Sequence, residues 1–558
     1  MSRTAAIDCE VLIIGAGPTG LMAANLLRRS GVAVRIVEQR LEPSRTSRAF
    51  AVQARSVELF QQMGLAERVL AEGTLNRRIE FFVAGKTVGS LDSDRAGIRD
   101  TPYPFILLLP QSRTEAILID DLSRLGVQVE RGITVQTLEQ DAAGVTVHGV
   151  SEGGRAWSSR SAYAIGADGA HSIVRKALGL QFAGAQYAQT FMLADCRVDW
   201  PLDHAHFRVF MNRSAIGLFL PLDGGRRSRV MVNAPGADVA QANDAPLALT
   251  ELESALRDAT GMALGLSDAD WSSRYRVHHR RVERYQAGRV FVAGDAAHIH
   301  SPAGGQGMNT GLQDAANLAW KLSAVLQRGV DAALLATYDS ERRPVAEQVI
   351  ALSDRMFTTM AGQTGWEAKL RDWLARPVGA ALGHLPAAQH RAFRTLAELD
   401  IVYGRSAWVE DGASAGGESI PQVGARAPNA VYARHRDVFD LLDGYGFSLL
   451  ALSRKPLERE AAQATHAALQ VLQREGISVH LLSRLAAGQC AGIESVTLPD
   501  VFDAYGVRDT QQALFLIRPD GYIAWRSDSL DVAGCERFLM RFGWGDKEPA
   551  DADVVRNR

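Results

Sequence analysis

Residues 10–20 read Glu10-Val11-Leu12-Ile13-Ile14-Gly15-Ala16-Gly17-Pro18-Thr19-Gly20, and this run decides the fold. Glu10 to Ile14 is a continuous apolar strand of the kind buried on both faces in a parallel sheet. Gly15 lets the chain turn tightly, Gly17 lets the backbone come close to a pyrophosphate, and Gly20 lets the next helix pack against the sheet. Leu21 to Arg29 follows with helical periodicity, Ser30-Gly31 stops it, and Val32 to Val37 is a second strand. Glu38 ends that strand where an acid accepts hydrogen bonds from an adenosine ribose, with Gln39 beside it. Pro18 and Thr19 open a helix whose free N–H groups and dipole favour phosphate. The unit is a dinucleotide-binding βαβ fold, and the fingerprint alone does not choose between FAD and NAD.

Working outward, the chain has 558 residues, too many for one core. Hydrophobic residues make up 47% and charged residues 22%, with a net charge of −2, which describes a soluble globular protein without the basic excess of a nucleic-acid binder. Cys9, Cys196, Cys490 and Cys535 are scattered, with no CxxC and no metal-ligand spacing. They read as reduced thiols in a cytoplasmic protein. The apolar runs Val11–Ile14 and Phe105–Leu109 are too short to cross a bilayer. The expectation is therefore a soluble protein with no metal, nucleic-acid or membrane partner.

Helices and strands mix up to about residue 180. Phe191 to Asn233 then alternates as an antiparallel sheet would, forming one wall of a second lobe. Arg289 to Ala293 is another apolar strand, which runs through a glycine-rich turn into a helix from about Gly311 to Leu326. Near Ile420 the stretch "SIPQVGARAPNA" reads as a linker. A strand (447–452), a helix (458–475), a strand (478–482) and a hairpin turned at Pro519-Asp520-Gly521 follow.

Two further strings separate the cofactors. Gly294-Asp295-Ala296-Ala297-His298 follows the strand at 289–293, and Pro302-Ala303-Gly304-Gly305-Gln306-Gly307-Met308-Asn309 follows at once. Asp168-Gly169 opens a third string that ends at Arg175. Together they resemble the GD and DG motifs of the single-component FAD-dependent aromatic hydroxylases, in the branch of phenol and pentachlorophenol hydroxylases. The resemblance covers almost the whole chain. It implies an α/β architecture: a Rossmann-like FAD-binding domain (1–180 and 281–415, the latter with a helical region) interleaved with a β-rich substrate domain (181–280). A thioredoxin-like domain (422–545) without its CxxC completes the chain, and is read as structural support for the contacts of a homodimer.

For the site, the resemblance implies that Asp295 meets the ribityl chain of FAD. It sets Pro302, Gly305, Gly307, Met308 and Asn309 along the isoalloxazine ring, and puts Asp168 near both FAD and the pyridine nucleotide. Arg48 falls where the family keeps an arginine at the flavin, and Gln111 where a glutamine reaches the ribityl chain. NADPH or NADH would reduce the flavin from the surface of this domain, since no second GxGxxG unit exists. O2 would then give a flavin C4a-hydroperoxide whose distal oxygen attacks a phenolic or polycyclic aromatic ring.

One departure stands out. Phenol hydroxylase has an aspartate just after the equivalent of Arg48-Ala49, and this chain has Phe50. That puts a simple carboxylate base in doubt and suggests a more apolar substrate. Arg274 and Tyr275 lie where relatives place ring-contacting side chains, so Arg48 and Tyr275 are the catalytic candidates. Phe219 and Pro221 are candidates for the pocket wall beside Phe50. The alternatives on the same scaffold are a Baeyer–Villiger or antibiotic-modifying oxygenase, or a non-redox enzyme in which FAD is structural.

Overall fold

The computed structural model describes residues 7–44, 49–212, 215–234, 247–301, 304–361, 385–412, 421–442, 444–485, 493–508 and 511–544. The opening stretch forms strand β1 (Cys9–Ile14), helix α1 (Pro18–Arg29) and strand β2 (Val34–Glu38). Parallel strands Val129–Arg131, β2, β1, Ala156–Gly166 and Val290–Val292 lie side by side in that order. Counted along the chain this is the 3-2-1-4-5 order of a doubly wound dinucleotide fold, with the order reversing beside β1. All three sequence strings begin at the carboxyl ends of neighbouring strands. Ala167 N donates to Ile14 O (2.8 Å), and Ala293 N donates to Gly166 O (3.0 Å). Ligands of such sheets bind in this crevice.

A small sheet holds strand β3 (Ala51–Val52) against Ile106–Leu108. Helix α2 (Ala54–Gln62) follows β3, and helix α3 (Gln111–Arg124) lies against α1. The short helix α4 (Ile173–Ala177) closes the Asp168 string.

The second sheet has eight strands, with Gly265–Val282, Phe182–Asp199, Arg227–Ala234, Ala215–Leu222 and Phe207–Asn212 in its centre. It also takes Arg78–Val83 and Lys86–Asp92 from within the first 180 residues, so the substrate lobe is not confined to 181–280. Helix α5 (Leu249–Thr260) covers one face, and the other turns toward the first sheet.

Helix α6 (Gly307–Arg328) packs against α1 and α2, and helix α7 (Ala336–Ala361) packs against α6. The C-terminal domain stands on them. Its sheet runs Glu410–Asp411, Ile523–Ser527, Gln512–Ile517, Ser448–Leu457, Ser478–Leu485, Ile493–Ser495, parallel in the last three strands and antiparallel in the hairpin. This is a thioredoxin-like layout. Cys9, Cys196 and Cys535 are buried and unpaired, and Cys490 lies outside the described residues. Burial pushes the Cys9 thiol up to about 11 and the Cys196 thiol up to about 12, which keeps both protonated and inert.

Candidate functional site

Gly15 sits at φ +104°, and a Cβ there would stand 2.3 Å from the carbonyl oxygen of Ala167. Only glycine allows the Asp168 string to pass this close. A Cβ at Gly20 would fall 2.0 Å from Gly15 O, so α1 lies directly on the turn. At Gly17 a Cβ would meet nothing within 4 Å. Gly17 is the residue just before α1, so this open backbone adjoins the first-turn N–H groups, which have no partner within the helix. Glu38 accepts from Ala16 N (2.9 Å) and from Arg40 N (3.0 Å), one bond on each oxygen, and each oxygen retains a further lone pair. Gln39 is exposed.

The third strand end interlocks with the first. A Cβ at Gly294 (φ +59°) would be 2.5 Å from Thr19 Oγ1, and one at Gly311 would be 2.4 Å from the same atom. Thr19 is therefore wedged between the Gly294 turn and α6. Asp295 is exposed at that turn. Its neighbour His298 is buried, with Nε2 2.7 Å from Asp314, whose other oxygen accepts from Arg342 Nε at 2.7 Å.

Asp168 serves mainly its own loop. It accepts from Ser172 Oγ, from Ile173 N (2.7 Å) and from Val174 N (3.2 Å), which caps α4. Burial raises its pKa against the pull of those bonds. Arg175 then ties this loop to the third strand end, donating to Ala296 O (3.0 Å) and Ala170 O (2.8 Å). Gln111 opens α3, with its amide on Glu115 Oε1 at 2.8 Å and its N–H on Ala49 O at 3.0 Å. Burial raises the pKa of Glu115.

The first turn of α6 is locked to β3. Asn309 Oδ1 accepts from Gln53 N (2.9 Å), and its amide donates to Ala51 O (2.9 Å) and Gly305 O (2.8 Å). Gln53 Nε2 reaches Gly304 O at 3.2 Å. A Cβ at Gly305 (φ +63°) would stand 3.1 Å from Ala51 Cβ. Gly307 and Met308 begin the helix, and Met308 is buried. Gln53 belongs to this construction and was missed in the sequence; its only signal is its place five residues before Glu58, the acid of α2, which is weak. Arg48 and Pro302 lie outside the described residues.

The second sheet presents two different faces. Phe191, Leu193, Ile216, Leu220, Met231 and Tyr275 pack toward the first sheet. Phe191 and Tyr275 stack with ring centroids 5.9 Å apart, and the Tyr275 hydroxyl lies 3.6 Å from Met231 Sδ. Phe219 instead faces α5, where it meets Leu252, Leu256 and Trp200. Pro221 shares that face by strand alternation. Arg274 faces the same way and pairs with Glu251 of α5 at 2.6 Å. The structure thus takes Phe219, Pro221 and Arg274 off the inner wall and leaves Tyr275 on it.

Phe50 is buried over that wall. The guanidinium of Arg229 stands between the Phe50 ring and the Trp271 ring, 5.5 Å from each, and its fork grips Asp195 at 2.7 Å on both oxygens. Trp271 Nε1 also donates to Asp195, at 2.9 Å. Sequence reasoning missed this group, because residues 195, 229 and 271 meet only through strand register.

Two family models cover the chain: an FAD binding domain over residues 8–353 and an aromatic-ring hydroxylase C-terminal domain over 420–542. The chain belongs to the FAD-dependent aromatic-ring hydroxylases. Like them it is a flavin-dependent monooxygenase. It is 34% identical over 526 residues to the 12-dehydrotetracycline 5-monooxygenase/anhydrotetracycline 6-monooxygenase of Streptomyces rimosus, covering 92% of this chain and 95% of that one. Pentachlorophenol 4-monooxygenase of Sphingobium chlorophenolicum is 32% identical, over 64% of this chain and 65% of its own. Among solved structures, aklavinone-11 hydroxylase in a ternary complex with FAD and aklavinone superposes with TM-score 0.75 at 26% identity, covering 98% of this chain and 100% of that one. The residues present fit the flavin nucleotide. Gly17 leaves an open approach beside helix N–H donors, Glu38 keeps acceptor capacity at the ribose end, and Asp295 is exposed at the third strand end. No helix among the described residues is long and apolar enough to cross a membrane, and no metal cluster occurs among them.

Proposed function

We propose that this hydroxylase uses NAD(P)H and O2 to hydroxylate a phenolic ring within a polycyclic aromatic substrate. The observation that supports this most is the face of the second sheet that packs toward the first, together with Phe50 over it. It is apolar and aromatic (Phe50, Phe191, Met231, Tyr275), and the end-to-end likeness is to hydroxylases of multi-ring compounds. Bound FAD would supply the redox chemistry, taking electrons from NAD(P)H and passing one oxygen atom of O2 to the ring while the other leaves as water.

The chain's own work is binding, orientation and exclusion of water. The glycine turn and α1 hold the diphosphate, and Glu38 holds the ribose. The Gly304–Asn309 segment and Asp295 seat the flavin, with Arg48, Gln111, Asp168 and Pro302 assigned to the same region. Phe50 and Tyr275 pack the substrate ring. Phe50 brings no carboxylate, and Asp195, the carboxylate beside it, is held by Arg229 and Trp271. Among the described residues this wall therefore offers no free carboxylate base for the proton of the ring oxygen.

The test is a panel of single-ring and polycyclic phenols offered to the FAD-loaded protein, reading NAD(P)H oxidation, peroxide release and product mass under 18O2. Polycyclic phenols should stimulate oxidation and gain one 18O. Oxygen inserted into a ring would replace this reading with Baeyer–Villiger chemistry. Product formed without NAD(P)H or O2 would replace it with a non-redox activity.

A further inference from the structure

The hairpin turn Pro519-Asp520-Gly521 belongs to the C-terminal domain, yet Asp520 is only 2% exposed. Hairpin turns ordinarily sit at the surface, because a buried one must find partners for its backbone and its charge. Here the partners come from the flavin domain. Asn317 of α6 donates its amide to Asp520 Oδ2 at 3.1 Å. Arg55 of α2 donates to the main-chain oxygen of Asp520, and a Cβ on Gly521 would come within 3.0 Å of the same guanidinium. Arg518, at the start of the turn, completes the carboxylate's bonds through Nε at 2.9 Å and through Nη2.

The two helices held in this way are those whose first residues build the ring end of the flavin site. Gln53, just before α2, and Asn309, in the first turn of α6, hydrogen-bond to each other at 2.9 Å. Asn317 lies two turns further along the same rigid helix, about 12 Å away. A single buried residue from another domain therefore bridges the two helices, α6 through its carboxylate and α2 through its main-chain oxygen, behind the segment that faces the flavin.

We propose that Asp520 is a positioning residue for the flavin, acting through Asn317 and Arg55, and that the C-terminal domain works in this enzyme by fixing the helix pair α2/α6. The inference rests on the proposed reading only in taking FAD as the group held.

The test uses full-length protein: wild type, Asp520→Asn, Asn317→Ala, and Val501→Ala as a control. Val501 is fully buried in the C-terminal domain's own core. FAD dissociation constants, the visible circular dichroism of bound FAD, and melting temperatures are measured for each. Asp520→Asn and Asn317→Ala should weaken FAD binding about tenfold and change the flavin dichroism. Val501→Ala should lower the melting temperature while its FAD affinity stays within about twofold of wild type. Wild-type affinity and dichroism in both turn variants would overturn the proposal, as would equal weakening in Val501→Ala. If Asp520→Asn does not fold, Asn317→Ala decides alone. Failure of the wild type itself to hold FAD would instead sink the functional reading.

Discussion

Two tight turns organise this molecule, and they are built on opposite principles. The Gly15–Gly20 turn is made of backbone. Its side chains are absent where the Ala167 carbonyl and α1 come close, and it stays open at Gly17. The Pro519–Gly521 turn is made of charge. It is buried from Arg518 to Tyr522 and is held by Arg55, Asn317 and Arg518. The first turn leaves room for a ligand. The second fills its space with ion pairs and locks one domain to another. A backbone turn tolerates almost no change of residue type at its closest points, whereas a charged turn tolerates change only if the whole network changes with it.

The sharpest way to break this contrast is Gly15→Ala. The new methyl would need the space of the Ala167 carbonyl and would sit at φ +104°, so the strand ends would have to part. The cost should exceed about 4 kcal/mol, and purified protein should be absent or free of FAD by absorbance. A well-folded, flavin-loaded Gly15→Ala protein would show that the close approach is not required.

The matching break on the charged side is Glu341→Gln. Glu341 of α7 accepts from both ends of Arg518 at 2.8 Å, from Lys321 Nζ at 2.8 Å and from Asn317 at 2.6 Å, all of them buried. Burial pushes its carboxyl up, but Arg518 and Lys321 outweigh this and hold it well below the usual range. Removing the charge strands the buried Lys321 cation and leaves Arg518 with Asp520 as its remaining carboxylate, which should cost about 3–5 kcal/mol, read as a fall in the urea midpoint. Replacing Glu341 and Lys321 together by apolar residues should recover part of the loss, since an absent pair costs less than a broken one. Equal destabilisation in the single and double variants would mean that packing, not charge, holds this interface.

How far each region could be read in the sequence follows from the same difference. Glycine spacing after an apolar strand reports a backbone constraint directly, so β1, α1, β2 and Glu38 emerge from the residue string within a few positions. The Pro-Asp-Gly turn is equally plain as a turn, but its burial depends on Arg55 and Asn317, which lie hundreds of positions away. The wall of the second lobe was legible as strand and not as face. Phe219 and Leu220 are neighbours in one alternating run, and a one-residue phase decides which of them looks toward the flavin domain. The partner sheet and α5 set that phase. Phe50 was visible as a departure, but the Arg229–Asp195–Trp271 group beneath it exists only through strand register.

Glu398 combines both devices, and per pH unit it gives the smallest of these effects. It is a non-glycine residue at φ +60°, and it is buried. Its carboxyl accepts from Gln313 and, at 3.4 Å, from Thr310, both on α6, with Arg342 and Asp314 nearby. Burial is the main cause that raises its pKa from 4.5 to about 8, against the pull of Arg342. The native state thus keeps a proton that the unfolded chain gives up above 4.5. Between about pH 4.5 and 8 the unfolded state binds fewer protons, so this group makes stability fall as pH rises, by at most about 1.4 kcal/mol per unit. Below that window its contribution is fully present, and above it the contribution is gone. Glu398→Gln keeps the shape and removes the titration. Its melting temperature should therefore decline less than that of the wild type between pH 5 and 8, and the two curves should run parallel above pH 9. Parallel curves across the whole range would show that Glu398 is already ionised at pH 5, and that charge alone, without a bound proton, can hold a strained residue against α6.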